Sequence, residues 1–122
     1  GLQAWCYTVA MRENPIVAVA GLVVGLESQV PSIYRKQTPV LRNKYGFSDE
    51  EVECVDLPSV SDEIHGERGY QIVLEHANTV ELQKQCLKIC EIGAEMRFLY
   101  TTALFNDYVK DDLSLEELEN AA

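Results

Sequence analysis

The chain has 122 residues, 47% of them apolar and 25% charged, with a formal charge of −10. That length and composition suit one globular domain around one core and exclude a wholly disordered chain. The acidic balance weighs against nucleic acid and anionic membranes as partners, since both select faces rich in lysine and arginine.

Cys6, Cys54, Cys86 and Cys90 contain no C-x-x-C pair, so neither a zinc knuckle nor a thioredoxin-type site is indicated. Free thiols fit a reducing, cytoplasmic setting. No basic segment precedes an apolar core near Gly1, so no signal peptide is expected. A glycine in place of an initiating methionine points to a processed chain or a piece of a longer one.

In chain order, Leu2 to Arg12 reads as the end of a mostly apolar helix. Asn14-Pro15 supplies an N-cap and a proline at the first helical position, so a second helix starts there. It opens with an unbroken apolar run from Ile16 to Leu26, too short for a bilayer, which needs about 20 residues, and expected to be buried on all sides. Ala18, Gly21 and Gly25 give it a small-residue face for close helix approach. Glu27 follows the run. It is either a partly buried carboxylate that needs a partner or the start of a solvent-facing stretch, Glu27-Ser28-Gln29. Pro31 and Pro39 predict a kinked helix or two shorter ones, ending at Tyr45-Gly46.

Ser48-Asp49-Glu50-Glu51 is a capping box, placing the next helix start at Asp49. Pro58 should break or kink that helix, which resumes to about His76 on Val60, Ile64, Tyr70, Ile72 and Val73. Asn78-Thr79 is a turn and cap. The last helix, Val80 to about Lys110, carries a stripe at Leu82, Cys86, Ile89, Gly93, Met96, Tyr100, Ala103 and Leu104, for which core packing is the plain explanation. Residues 111–122 form an acidic C-terminal tail. No stretch alternates like a strand. The fold class is all-α, with four to five helices over residues 1–110.

Phosphate loops, dinucleotide fingerprints and nucleophile elbows are absent. What remains is carboxylates and one histidine on helices. Asp62 and His65 are three apart and share a helix face, a pattern that holds metals in helical bundles, although an acid near a helix start and a hydrogen-bonded histidine are the plainer alternatives. Carboxylate and imidazole together suit iron or manganese better than a thiolate-loving metal.

The series Gly25-Leu26-Glu27-Ser28-Gln29-Val30-Pro31, then Tyr45-Gly46, Ser48-Asp49-Glu50-Glu51 and Asp62-x-x-His65-Gly66-Glu67-Arg68-Gly69 resembles the C-terminal half of the heme-oxygenase-like di-iron oxidase and oxygenase superfamily, over residues from about 5 to 110. The resemblance implies part of a longer seven-helix bundle without heme. It implies iron, held as a di-iron pair with Glu27, Asp62 and His65 as ligands, and dioxygen-dependent oxidation of a small organic molecule. Tyr34, Lys36 and Arg68 would then line the substrate pocket, or else are solvated helix residues. Two departures stand out. Pro58 occupies the position four before Asp62 where the motif has histidine, leaving a missing ligand, a substitute such as Asp56, or no iron. The chain is also shorter than the family's bundle, so a homo-oligomer or a second chain is expected to cover its apolar faces. The alternatives are a metal-free small-molecule-binding or cofactor-biosynthesis protein of this fold, and a non-catalytic helical interaction module with a degenerate site.

Overall fold

A computed structural model describes residues 1–110, apart from the side chains of residues 58–60. The acidic tail expected at 111–122 lies outside the described residues. Those described form α1 (Leu2–Arg12), α2 (Pro15–Val19), α3 (Val30–Tyr45), α4 (Asp49–His76) and α5 (Val80–Tyr108), and contain no strand. A π-helical turn, Ala20–Val24, and a 3-10 turn, Glu27–Gln29, join α2 to α3. The all-α expectation holds.

Local chemistry sets most boundaries. Asn14 Oδ1 accepts the Ile16 N–H at 2.9 Å, and Pro15 takes the position where a missing donor costs nothing. Gly46 ends α3 at φ 73°, with its N–H on the Arg42 carbonyl and that of Phe47 on the Leu41 carbonyl, a Schellman closure that favours glycine. Both limbs of the capping box form at α4: the Glu51 N–H donates to Ser48 Oγ, and the Ser48 N–H to Glu51 Oε2. Thr79 caps α5 through the Leu82 N–H at 3.2 Å.

The two long helices, α4 and α5, lie on either side of the α2–π segment. Val9, Val17, Ala20, Ala77, Cys86 and Ile89 form the buried core, with Trp5, Val73 and Leu82 packed against it. The small residues anticipated in the apolar run are used for close approach to α5: a Cβ on Gly21 would stand 2.8 Å from Ile89 Cγ1. Cys86 and Cys90 donate their thiol hydrogens to the Ile16 and Ala20 carbonyls, tying α5 to the same segment. The helical path Pro15–Tyr45 is long and apolar enough to cross a bilayer by length and composition, and Val17, Ala20, Gly21, Gly25, Leu26 and Val30 on it are buried against the neighbouring helices.

Several expectations are corrected. The run Ile16–Leu26 is not one helix buried on all sides. It changes pitch at Ala20, and Ala18, Val19 and Leu22 to Val24 are only half-buried, because the helices around it cover part of its circumference. Neither Pro31 nor Pro39 divides α3: Pro31 sits in the first turn and Pro39 is accommodated inside. α4 likewise runs unbroken through position 58. Each internal proline deletes one backbone donor, yet ion pairs on both sides of position 58 hold α4 to α3, Arg42–Asp56 at 2.5 Å and Arg35–Glu63 at 2.7 Å. On α4, Ile64, Tyr70 and Ile72 are exposed. The α5 stripe is buried at Cys86, Ile89 and Gly93, but Tyr100, Ala103 and Leu104 are exposed because no described element packs beyond them.

Arg42 also pairs with Asp49 at 2.9 Å. Its hydrogen bond to Asp56 holds that carboxyl below the ordinary 3.8, with help from Thr38 and against partial burial. A depressed acid contributes stability above its unfolded pKa and loses it as pH falls through the folded value. The stability difference between wild type and Asp56→Asn should therefore be full near neutrality and disappear below pH 3.8, as measured by urea unfolding across pH. Independently, Ser48→Ala should lower stability by about 1 kcal/mol through loss of the cap, read as a shift in the urea midpoint.

Candidate metal centre

Glu27 reaches its position because the chain before it leaves regular α geometry. The Gly25 N–H bonds the Ala20 carbonyl at 2.8 Å, five residues back, and a π turn of this kind re-aims the residues that follow it. Carbonyls around the pitch change also accept bonds from side chains. Ser28 Oγ donates to the Val24 carbonyl, Gln29 Nε2 to that of Gly25, and Cys90 Sγ to that of Ala20. The polar stretch after Glu27 thus bonds back onto its own turn, besides meeting solvent.

Asp62 and His65 come from α4, one turn apart on the face toward this segment. His65 Nδ1 lies 3.7 Å from Asp62 Oδ1 and 3.9 Å from Glu27 Oε2. Both distances exceed hydrogen-bond range, so these atoms are gathered without being bonded to one another. One donor atom from each of the three residues lies within 4.8 Å of the other two. The Asp62 side chain is 16% exposed, Glu27 44% and His65 55%. The cluster is therefore closed on the Asp62 side and open on the His65 side.

This arrangement fits one metal ion. Two ligand atoms on an ion with bonds of about 2.1 Å stand at most roughly 4.2 Å apart. The two measured separations fall inside that limit, and the 4.8 Å bound exceeds it by about 0.6 Å, within reach of small side-chain rotations. Two carboxylate oxygens and one imidazole nitrogen make a hard-to-borderline donor set suited to iron or manganese. Two carboxylates brought close together also favour a cation between them.

The cluster borders a cleft of about 300 Å³. Val19, Val23 and Ile72 form apolar walls, and Arg68 contributes a cation beside Glu27 and His65. Of the three residues expected at a substrate pocket, Arg68 lines this cleft. Tyr34, half-buried, and Lys36, exposed, are on α3 and do not line it.

Asp56 does not stand in for a missing ligand. It faces α3, paired with Arg42, and is outside the cluster. Pro58 does not break the helix that carries Asp62, which stays helical from Asp49 to His76. No cysteine belongs to the cluster, and burial pushes the Cys86 and Cys90 thiols above their ordinary 9.0, the second further raised by the first. Neither is thereby activated as a nucleophile.

Sequence reasoning missed the two glycines that let α4 approach. A Cβ on Gly66 would stand 3.3 Å from Ser28 Cβ, and one on Gly69 2.6 Å from Val23 Cγ1. The Gly66-x-x-Gly69 spacing directly after His65 was the available signal. Positions 58, 62, 65 and 69 follow 4-3-4 spacing and share one helix face. Pro58→His should therefore tighten divalent-metal binding about tenfold, a scale comparable to losing an outer-shell contact, as read by anaerobic titration.

A family model described as iron-containing redox enzyme matches residues 1–98, and the chain belongs to that family. The all-α architecture agrees with the heme-oxygenase-like fold expected from the motif series. Comparison with curated proteins and with solved structures returns no match.

Proposed function

Starting from that membership, we propose that Glu27, Asp62 and His65 hold iron and that the chain serves in a non-heme redox reaction of a small organic molecule with dioxygen. The observation that carries this reading is the convergence of two carboxylates and an imidazole, from separate helical segments, within 4.8 Å beside a cleft. Three protein donors leave coordination positions open, which is what a metal used for chemistry needs. When bound there, iron supplies one-electron and dioxygen chemistry that side chains lack.

The protein's own residues contribute the rest. Val19, Val23 and Ile72 receive an apolar body and displace water from the cleft. Arg68, with no ion-pair partner among the described residues, orients a polar or anionic end. Three donors are half of what a di-iron pair requires, so in this reading further ligands come from outside the described residues. The apolar faces left bare, including Leu57, Leu74, Leu87 and Phe98 at more than 60% exposure, are then covered by a second copy or a second chain.

The decisive measurement is metal content after anaerobic iron loading of wild type, His65→Ala and Glu27→Ala, with helicity followed by circular dichroism. Wild type is expected to retain stoichiometric iron, and each variant to lose at least about 100-fold in affinity, the upper end of what loss of even an outer-shell group costs. Absence of iron from a fully helical wild type would overturn the proposal.

A further inference from the structure

We propose that Gly69, supported by Gly66, is a positioning residue for the metal centre: it sets how far Glu27 stands from Asp62 and His65. The inference rests on the reading of those three residues as metal donors.

The donors sit on two segments that nothing covalent holds at a fixed distance. Glu27 belongs to the turn after the π segment, while Asp62 and His65 belong to α4. Their separation is therefore decided where the segments touch. Gly69 lies one turn beyond His65 on the same face, four residues on, and faces Val23, four residues before Glu27. Gly66 faces Ser28, the residue after Glu27. The two contacts flank Glu27 in sequence, at Val23 and Ser28, and on α4 both follow His65.

The contact at Gly69 has no slack. An added Cβ would meet Val23 Cγ1 at 2.6 Å and Val23 Cβ at 3.1 Å, where carbon atoms prefer about 3.5–4.0 Å. Rotating the valine moves Cγ1 but leaves Cβ in place, and a β-branched side chain on a helix has little rotamer freedom. With Cγ1 held in its rotamer the backbone must shift by about 1 Å to reach ordinary contact, and with Cγ1 turned aside the Val23 Cβ still requires a few tenths of an ångström. At Gly66 the nearest atoms, Ser28 Cβ and Cα, are at 3.3 and 3.4 Å, so the opposition there is milder and the main stop is Gly69. Donor sets tolerate displacements of only about 0.5 Å, and a misplacement of about 1 Å can cost on the order of 100-fold.

A suitable control exists in the same core. Gly93 is close-packed though less tight than Gly69, with an added Cβ 3.0 Å from Trp5 Cη2 and 3.3 Å from the Gly21 carbonyl oxygen; its nearest neighbour is the tip of a side chain on α1, and Gly21 lies six residues before Glu27. Gly69→Ala, Gly93→Ala and Gly69→Ala/Val23→Ala are titrated anaerobically with ferrous iron, and their urea stabilities are recorded alongside. Gly69→Ala is expected to bind about 10- to 100-fold more weakly than wild type. Gly93→Ala should lose stability yet bind within about twofold of wild type. Removing Cγ1 in the double variant should restore most of the lost affinity. Binding by Gly69→Ala that matches wild type, or an equal loss in Gly93→Ala, overturns the proposal.

A metal-independent distance readout keeps this result apart from failure of the metal reading itself. Cysteines placed by Glu27→Cys and His65→Cys are oxidised with and without Gly69→Ala, and the cross-link is mapped by peptide mass. Slower cross-linking in the alanine background is expected even if wild type takes up no iron. Equal rates in the two backgrounds overturn the positioning role.

Discussion

The contact on which the rest of this structure depends is the close approach of α4 to the pitch-changing segment that follows α2. It is made where side chains are missing, at Gly66 and Gly69, and so the two backbones come nearer than larger residues would allow. That nearness does two things. It buries the inner side of an otherwise continuous apolar run, and it carries an acid from one segment up to an acid and an imidazole from another. On the opposite side, α5 holds the same segment through Ile89 and two thiol–carbonyl contacts. The central segment is thus held by both long helices, and the thiols of α5 add further bonds to its carbonyls.

Electrostatics and shape reinforce each other at the cluster. The chain carries a charge of −10, and two of its carboxylates are held close together with Asp62 largely withdrawn from water. Such an arrangement raises the free energy of the metal-free form and lowers that of a form with a cation between the acids. Some acids elsewhere are matched on the protein's own account: Asp49 and Asp56 share Arg42, and Glu63 takes Arg35. Asp56 illustrates the difference. Its partner draws it toward α3, and an acid so engaged is not free to join the cluster.

Much of the architecture was legible from local chemistry, because caps and turns act over a few residues. Asn14-Pro15, Gly46, the box from Ser48 to Glu51 and Thr79 all mark real boundaries. As a sign of where a helix ends, proline misled. Pro39 and Pro58 each forfeit one bond, and the packing of α3 on α4 outweighs that loss, a tertiary effect that no local rule contains. The exposed ends of the α4 and α5 stripes were misread for a related reason. Periodicity reports which face is apolar, not whether anything lies against it. At the cluster, helical spacing joined Asp62 to His65, but the approach of Glu27 depended on a π turn and on two glycines. Neither has a hydrophobic signature.

The prolines inside α3 and α4 also bear on how the chain acquires its structure. A helix that lacks an internal bond is less able to persist alone, and an isolated helix is marginal in water even without such a gap. The charged rungs between Arg35 and Glu63 and between Arg42 and Asp56 form only when the two helices lie side by side. Ordering of this hairpin is therefore a mutual event, in which each partner acts as template for the other. By contrast, α5 has no proline to interrupt its ladder of backbone bonds.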